Sequence, residues 1–129
     1  MSVQDKIARL SSFLRENPAF ANVPFLSVAG KPVTPAEALA MLQASRNVGE
    51  IMAGLAKLGL DLPWELCEEF YRRLAAARPE LKILALQPYV PAMSPAEALE
   101  HIRARDAVGE SLAKAYAGLL NFMRARVDV

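Results

Sequence analysis

Residues 34–50, TPAEALAMLQASRNVGE, return as residues 94–110, SPAEALEHIRARDAVGE, with nine of 17 positions identical. Unrelated segments of that length match at about one position. The offset of 60 residues also lays Ile7, Leu10 and Leu14 over Cys67, Phe70 and Leu74, and one inserted residue brings Pro18 over Pro79. The chain therefore reads as two copies of a helix, long loop, helix unit, about 5–60 and 65–125, related by an approximate internal two-fold. A tandem stack would carry the same pattern. At 129 residues the two copies have to share one domain, 1–129, because neither is long enough to bury a core alone.

Helices are the expected elements. One Thr and four Ile stand against 23 Ala and 18 Leu, a balance that favours helix over strand. The nine prolines, at 18, 24, 32, 35, 63, 79, 88, 91 and 95, leave four windows free of an interior helix breaker. The first helix covers about 3–16, with Val3, Ile7, Leu10 and Leu14 at helical spacing. The second opens at Thr34-Pro35-Ala36-Glu37, a capping box with proline at the first helical position, and runs to about Leu58. The third covers about 63–78, with Leu66, Phe70 and Leu74 on one face. The fourth opens on a second capping box, Ser94 with Glu97, and reaches Arg124 or beyond. The fold class is all-α, a four-helix bundle-like domain. The connections 17–33 and 78–93 are long for such a bundle. They carry Phe20, Val23, Phe25, Leu26 and Val28 in one and Leu81, Ile83, Leu84, Leu86, Tyr89 and Val90 in the other, side chains that need packing against helices or a neighbour.

Val48-Gly49-Glu50 and Val108-Gly109-Glu110 place glycine inside the long helices, at a cost of about 1 kcal/mol each relative to alanine. Close helix crossing accounts for that cost, so Gly49 and Gly109 are expected at helix packing contacts. Thr34, Glu37, Ser94 and Glu97 are helix caps. Chemistry is thin. Cys67 is the only cysteine and His101 the only histidine, which leaves a disulfide framework, a Cys/His zinc site and a Cys-His pair from separate regions without parts. His101 follows Glu97 by four, where di-metal helical sites use three. No phosphate-binding loop or nucleophile elbow is present. No catalytic residue, metal or cofactor is expected, and Cys67 reads as a small hydrophobe. Trp64 reads as a core anchor or an interface residue.

Fifteen basic residues against fourteen acidic leave a net charge of +1. Arg72 and Arg73 follow Glu68 and Glu69 by one turn and are neutralised locally. Lys6, Arg15, Arg103, Arg105, Arg124 and Arg126 lack such partners and would form a basic stripe if the first and last helices lie side by side, the candidate contact to nucleic-acid phosphates. No apolar stretch reaches the roughly 18–20 residues of a membrane span. Asp5, Lys6 and Arg9 sit where a signal peptide has an apolar block, so the expectation is a soluble intracellular chain. The mean hydropathy of +0.17 is nonetheless high for a small soluble monomer. Some apolar surface is expected to belong to partners.

Ala/Leu/Arg-rich helices, few Asn and Gln, and prolines kept to loops such as Pro24, Pro32, Pro88 and Pro91 give a chain that resembles the coat proteins of filamentous DNA viruses of hyperthermophilic archaea. The likeness spans the whole chain and is one of size, helical layout and composition. It implies a virion protein that assembles with itself or a paralogous subunit and packages double-stranded DNA, A-form in such sheaths, through phosphate contacts indifferent to sequence. The net charge of +1 departs from that pattern. The other reading is a helical adaptor or small subunit of a larger nucleoprotein or protein complex, in the cytoplasm.

Overall fold

The computed structural model describes residues 2–84 and 91–128. Leu86, Pro88, Tyr89 and Val90 of the second connection lie outside the described residues. The fold is helical apart from one hairpin. Helix α1 (Val3–Glu16) leads through a 3-10 turn (Pro18–Asn22) to strands β1 (Leu26–Val28) and β2 (Lys31–Val33). There follow α2 (Pro35–Gln43), α3 (Val48–Ala56), α4 (Trp64–Ala77), α5 (Pro95–Ala104) and α6 (Ala107–Val127).

Both long windows, expected as single helices, break in two. Gln43 is followed by Ala44 and by Ser45 at φ 58°. The N–H of Ser45 bonds the carbonyl of Leu42, and that of Arg46 bonds Met41, so α2 closes with a Schellman motif whose left-handed residue is serine rather than glycine. Asn47 at φ 52° then leads into α3. In the second window Arg105, at φ 52°, ends α5, and Asp106 caps α6 by accepting from the Gly109 N–H at 2.8 Å. The breaks fall at the same place in the duplicated segment, with Ser45 and Arg105 both at positive φ; Asp106 caps the following helix through its side chain, whereas Asn47 makes no side-chain cap bond. One consequence is that Arg46, four residues before Glu50 in sequence, lies in the linker between α2 and α3 and not one turn from it on a shared helix. The Glu50 carboxylate instead accepts from the backbone N–H of Ala29 at 2.7 Å, tying α3 to the hairpin.

The capping boxes form as their sequences dictate. Thr34 and Ser94 each accept from the backbone N–H of Glu37 and Glu97, and each glutamate reaches back to its cap N–H. Directly before these caps, Val33 pairs with Leu26 in the hairpin and Met93 with Ile83 in an isolated bridge. The hairpin turn has two central residues at positive φ, Ala29 at 52° and Gly30 at 77°, the requirement of a type I′ turn. Alanine tolerates that region poorly, whereas asparagine visits it readily. Ala29→Asn is expected to raise stability by about 1 kcal/mol in urea unfolding; an unchanged midpoint would show that the turn relaxes at no cost.

Every helix contributes to one core. Leu10 and Phe13 of α1, Leu42 of α2, Ile51 and Leu55 of α3, Cys67 of α4, Ile102 of α5, and Leu112, Tyr116, Leu120 and Met123 of α6 meet there. Each large side chain so buried contributes about 1.5–3 kcal/mol. The Tyr116 hydroxyl is satisfied by the carbonyl of Pro24, which draws the first long connection down onto α6. α1 packs along the second half of α6, with Lys6 at Asp128 and Phe13 at Phe122.

Candidate interaction surface

The six basic residues do not converge on one stripe. Lys6 is buried, with its ammonium 2.5 Å from the Asp128 carboxylate and 3.3 Å from the Val127 carbonyl. It therefore cannot contact a phosphate. It shares i, i+4, i+7 spacing with Leu10 and Phe13, the inward face of α1, and that spacing was the available signal. Arg15 is exposed and donates to Ser12 Oγ. The Arg126 guanidinium lies 3.6 Å from the centroid of the Phe122 ring and donates to the Phe122 carbonyl. Arg124 is half-buried on the same helix. At the other end of α6, Arg103 stands 3.4 Å from Glu68, and Arg105 stacks 5.0 Å from the Trp64 centroid. About 30 Å of helix separates this end from Arg126. Arg72 and Arg73 pair with Glu68 and Glu69 as their spacing indicates, as does Lys114 with Glu110.

The two glycines part company. A Cβ on Gly109 would stand 2.1 Å from the His101 carbonyl oxygen, so α5 and α6 touch backbone to backbone there. Gly49 faces open space, with nothing within 4 Å of where its Cβ would be. The expectation of a packing contact at Gly49 is thereby overturned, because the helix break turns α3 so that this position looks outward in its first turn. Both glycines are helical, but each sits in the first turn after a break, Gly49 in α3 and Gly109 in α6, rather than in the middle of one long helix.

His101 and Cys67, the side chains best suited to chemistry, are held in structural roles. His101 Nδ1 lies 2.6 Å from Asp106, whose carboxyl is held below the usual range by the Gly109 N–H it accepts and by His101. Burial pushes the Cys67 thiol up to about 12, away from nucleophilic use at neutral pH. Tyr71 is likewise pushed up to about 12 by burial. Among the described residues no three His, Cys, Asp or Glu side chains gather as a metal site, and no helix is long and apolar enough to cross a membrane.

What stands out is one face of α6. Ser111, Ala115, Gly118, Phe122 and Ala125 recur at i, i+4, i+7, i+11 and i+14, and all but the half-buried Ser111 are exposed. Leu119 flanks them at 42% exposure, and Phe122 keeps 36% although Phe20 stacks on its ring at 5.9 Å. On the opposite flank the loop after α3 lies against Ala117 and Asn121 through Gly59, and carries Leu60 at 60% exposure. Sequence reasoning does not single out these residues. α6 is apolar on most of its circumference, so periodicity alone leaves the buried side undetermined. The mid-helix glycine at 118 was the one usable signal.

Comparison with protein-family models, with curated proteins and with solved structures finds no significant match.

Proposed function

We propose that this chain is a structural protein that self-assembles through its helical surface. The observation that carries the reading is the apolar strip along α6, with Leu119 and Phe122 on the helix and Leu60 beside it. Apolar side chains clustered on one face gain roughly 25 cal/mol for each Å² removed from water, which favours association over solvation. The surrounding chemistry supports assembly over catalysis: the histidine is tied to a helix cap and the cysteine is buried. The finer role of packaging duplex DNA draws only on scattered arginines, since Lys6 is committed to Asp128 and Arg103 to Glu68. A duplex would have to be met by several subunits at once.

Light scattering of the purified full chain at micromolar concentration tests the proposal. A dimer or larger species is expected, growing with concentration. A monomer that persists to high concentration would overturn self-assembly and leave the adaptor reading, in which a different chain covers the same strip.

A further inference from the structure

The duplicated segment folds into two different corners. At α5–α6 the backbones touch, Gly109 against the His101 carbonyl, while at α2–α3 the equivalent Gly49 faces open space. Nine of 17 positions are identical between the segments, and two of the others act at the closed corner. His101 Nδ1 lies 2.6 Å from one oxygen of the Asp106 carboxylate, and the other oxygen accepts from the Gly109 N–H at 2.8 Å. Asp106 thus ties the last turn of α5 to the first turn of α6, at the place where Gly109 meets the His101 backbone. In the first copy the same positions hold Met41 and Arg46, which cannot form such a bridge, and α3 starts without a side-chain cap. We propose that His101 and Asp106 form a proton-sensitive latch on the α5–α6 corner, tight when the imidazole is charged and weaker when it is neutral.

A neutral imidazole can donate one hydrogen bond to the carboxylate, whereas an imidazolium adds charge to that bond and strengthens it roughly twofold. An imidazolium at this position also meets the negative end of the α5 dipole, since His101 lies in the last turn. Glu97 stands one turn back on the same helix and interacts with His101 through space. The other charged groups of the packed elements have partners of their own. Lys82, after α4, acts on Glu97, Arg103 turns to Glu68 of α4, Arg105 stacks on Trp64, and Glu110 of α6 pairs with Lys114. The Gly109 N–H and His101 hold the Asp106 carboxyl below the usual range, so it stays ionised well into acid. The added strength is therefore present on the acid side of neutral, down to the pH at which Asp106 protonates. It is lost as the pH rises and His101 gives up its proton.

The chain has one histidine, and its one cysteine is buried with the thiol pushed up to about 12, so His101 is the side chain that changes charge between pH 5.5 and 8. Urea unfolding of the full chain at these two pH values and low salt reads the latch. The ratio of folded to unfolded chain should be about two- to fivefold higher at pH 5.5, the range of an exposed ion pair. His101→Gln removes the titrating ring, and Asp106→Asn keeps an oxygen for the Gly109 N–H without the charge, so the difference should vanish in both. A native chain with no difference, or a difference that survives in His101→Gln, would overturn the latch. NMR places the effect in the native chain, and it decides alone if the variants fail to fold. The Gly109 amide proton should shift over the same pH range as the ring protons of His101. A Gly109 amide that stays still while His101 titrates would overturn the proposal, because the imidazole would then act away from the corner.

Discussion

Gly109→Ala is expected to lower stability by about 3 kcal/mol or more, while Gly49→Ala leaves it unchanged or raises it by about 0.5 kcal/mol. The two glycines occupy equivalent places in the duplicated segment, so the contrast isolates packing from local sequence. At Gly109 the added methyl would meet the His101 carbonyl oxygen at 2.1 Å and its carbon at 2.7 Å. These are backbone atoms of α5, which cannot rotate aside as a side chain could. Relief requires α5 and α6 to separate, and α5 also packs on α4. Separation would disturb the burial of Ile102 and Leu112 as well. At Gly49 the methyl meets nothing, and alanine favours the helical backbone. Urea unfolding of both variants decides the matter. Equal effects would mean that the close approach at Gly109 relaxes freely.

Asp128→Ala is expected to cost about 2–4 kcal/mol, out of proportion to a change at a partly exposed carboxylate. Its partner is the reason. The Lys6 side chain is 5% exposed and Asp128 24%, so removing the carboxylate leaves a buried ammonium with only the Val127 carbonyl. Breaking one side of a buried pair costs far more than replacing both sides by apolar groups. Lys6→Met should therefore fall within about 1 kcal/mol of the native chain, and Lys6→Met with Asp128→Ala should recover most of the loss seen in Asp128→Ala alone. If the double variant is as unstable as Asp128→Ala, the carboxylate acts through something other than Lys6.

Local signals made the helical skeleton legible. Thr34-Pro35-Ala36-Glu37 and Ser94-Pro95-Ala96-Glu97 specify helix starts through bonds within four residues, and the window from Val3 to Glu16 is bounded by Asn17-Pro18. The breaks at Ser45 to Asn47 and at Arg105-Asp106 were harder. No proline or glycine marks them, and a left-handed serine or arginine is set by the packing that follows rather than by residue preference. The fate of Lys6 depended on Asp128, 122 residues away, which no local pattern encodes. The exposed strip on α6 failed to show for a related reason. Leu119 and Leu120 are neighbours in sequence, yet one faces solvent and the other the core, a choice made by where α1, α4 and α5 dock on α6.

The docking of α1 along α6 also bears on how the chain reaches this state. α4, α5 and α6 meet through contacts between sequence neighbours, as do α1 and α2. Phe13 against Phe122, and Lys6 against Asp128, join segments more than a hundred residues apart. The entropy lost in closing a loop of that length is recovered only after the shorter pieces have formed surfaces worth joining. On loop-closure grounds the α1–α6 seam is expected to close late in folding and to part early on unfolding. Phe122 belongs to that seam as well as to the exposed strip, so on that order the strip takes its shape only as α1 docks. An incompletely folded chain would then present this face of α6 without Phe13 and Phe20 packed against Phe122.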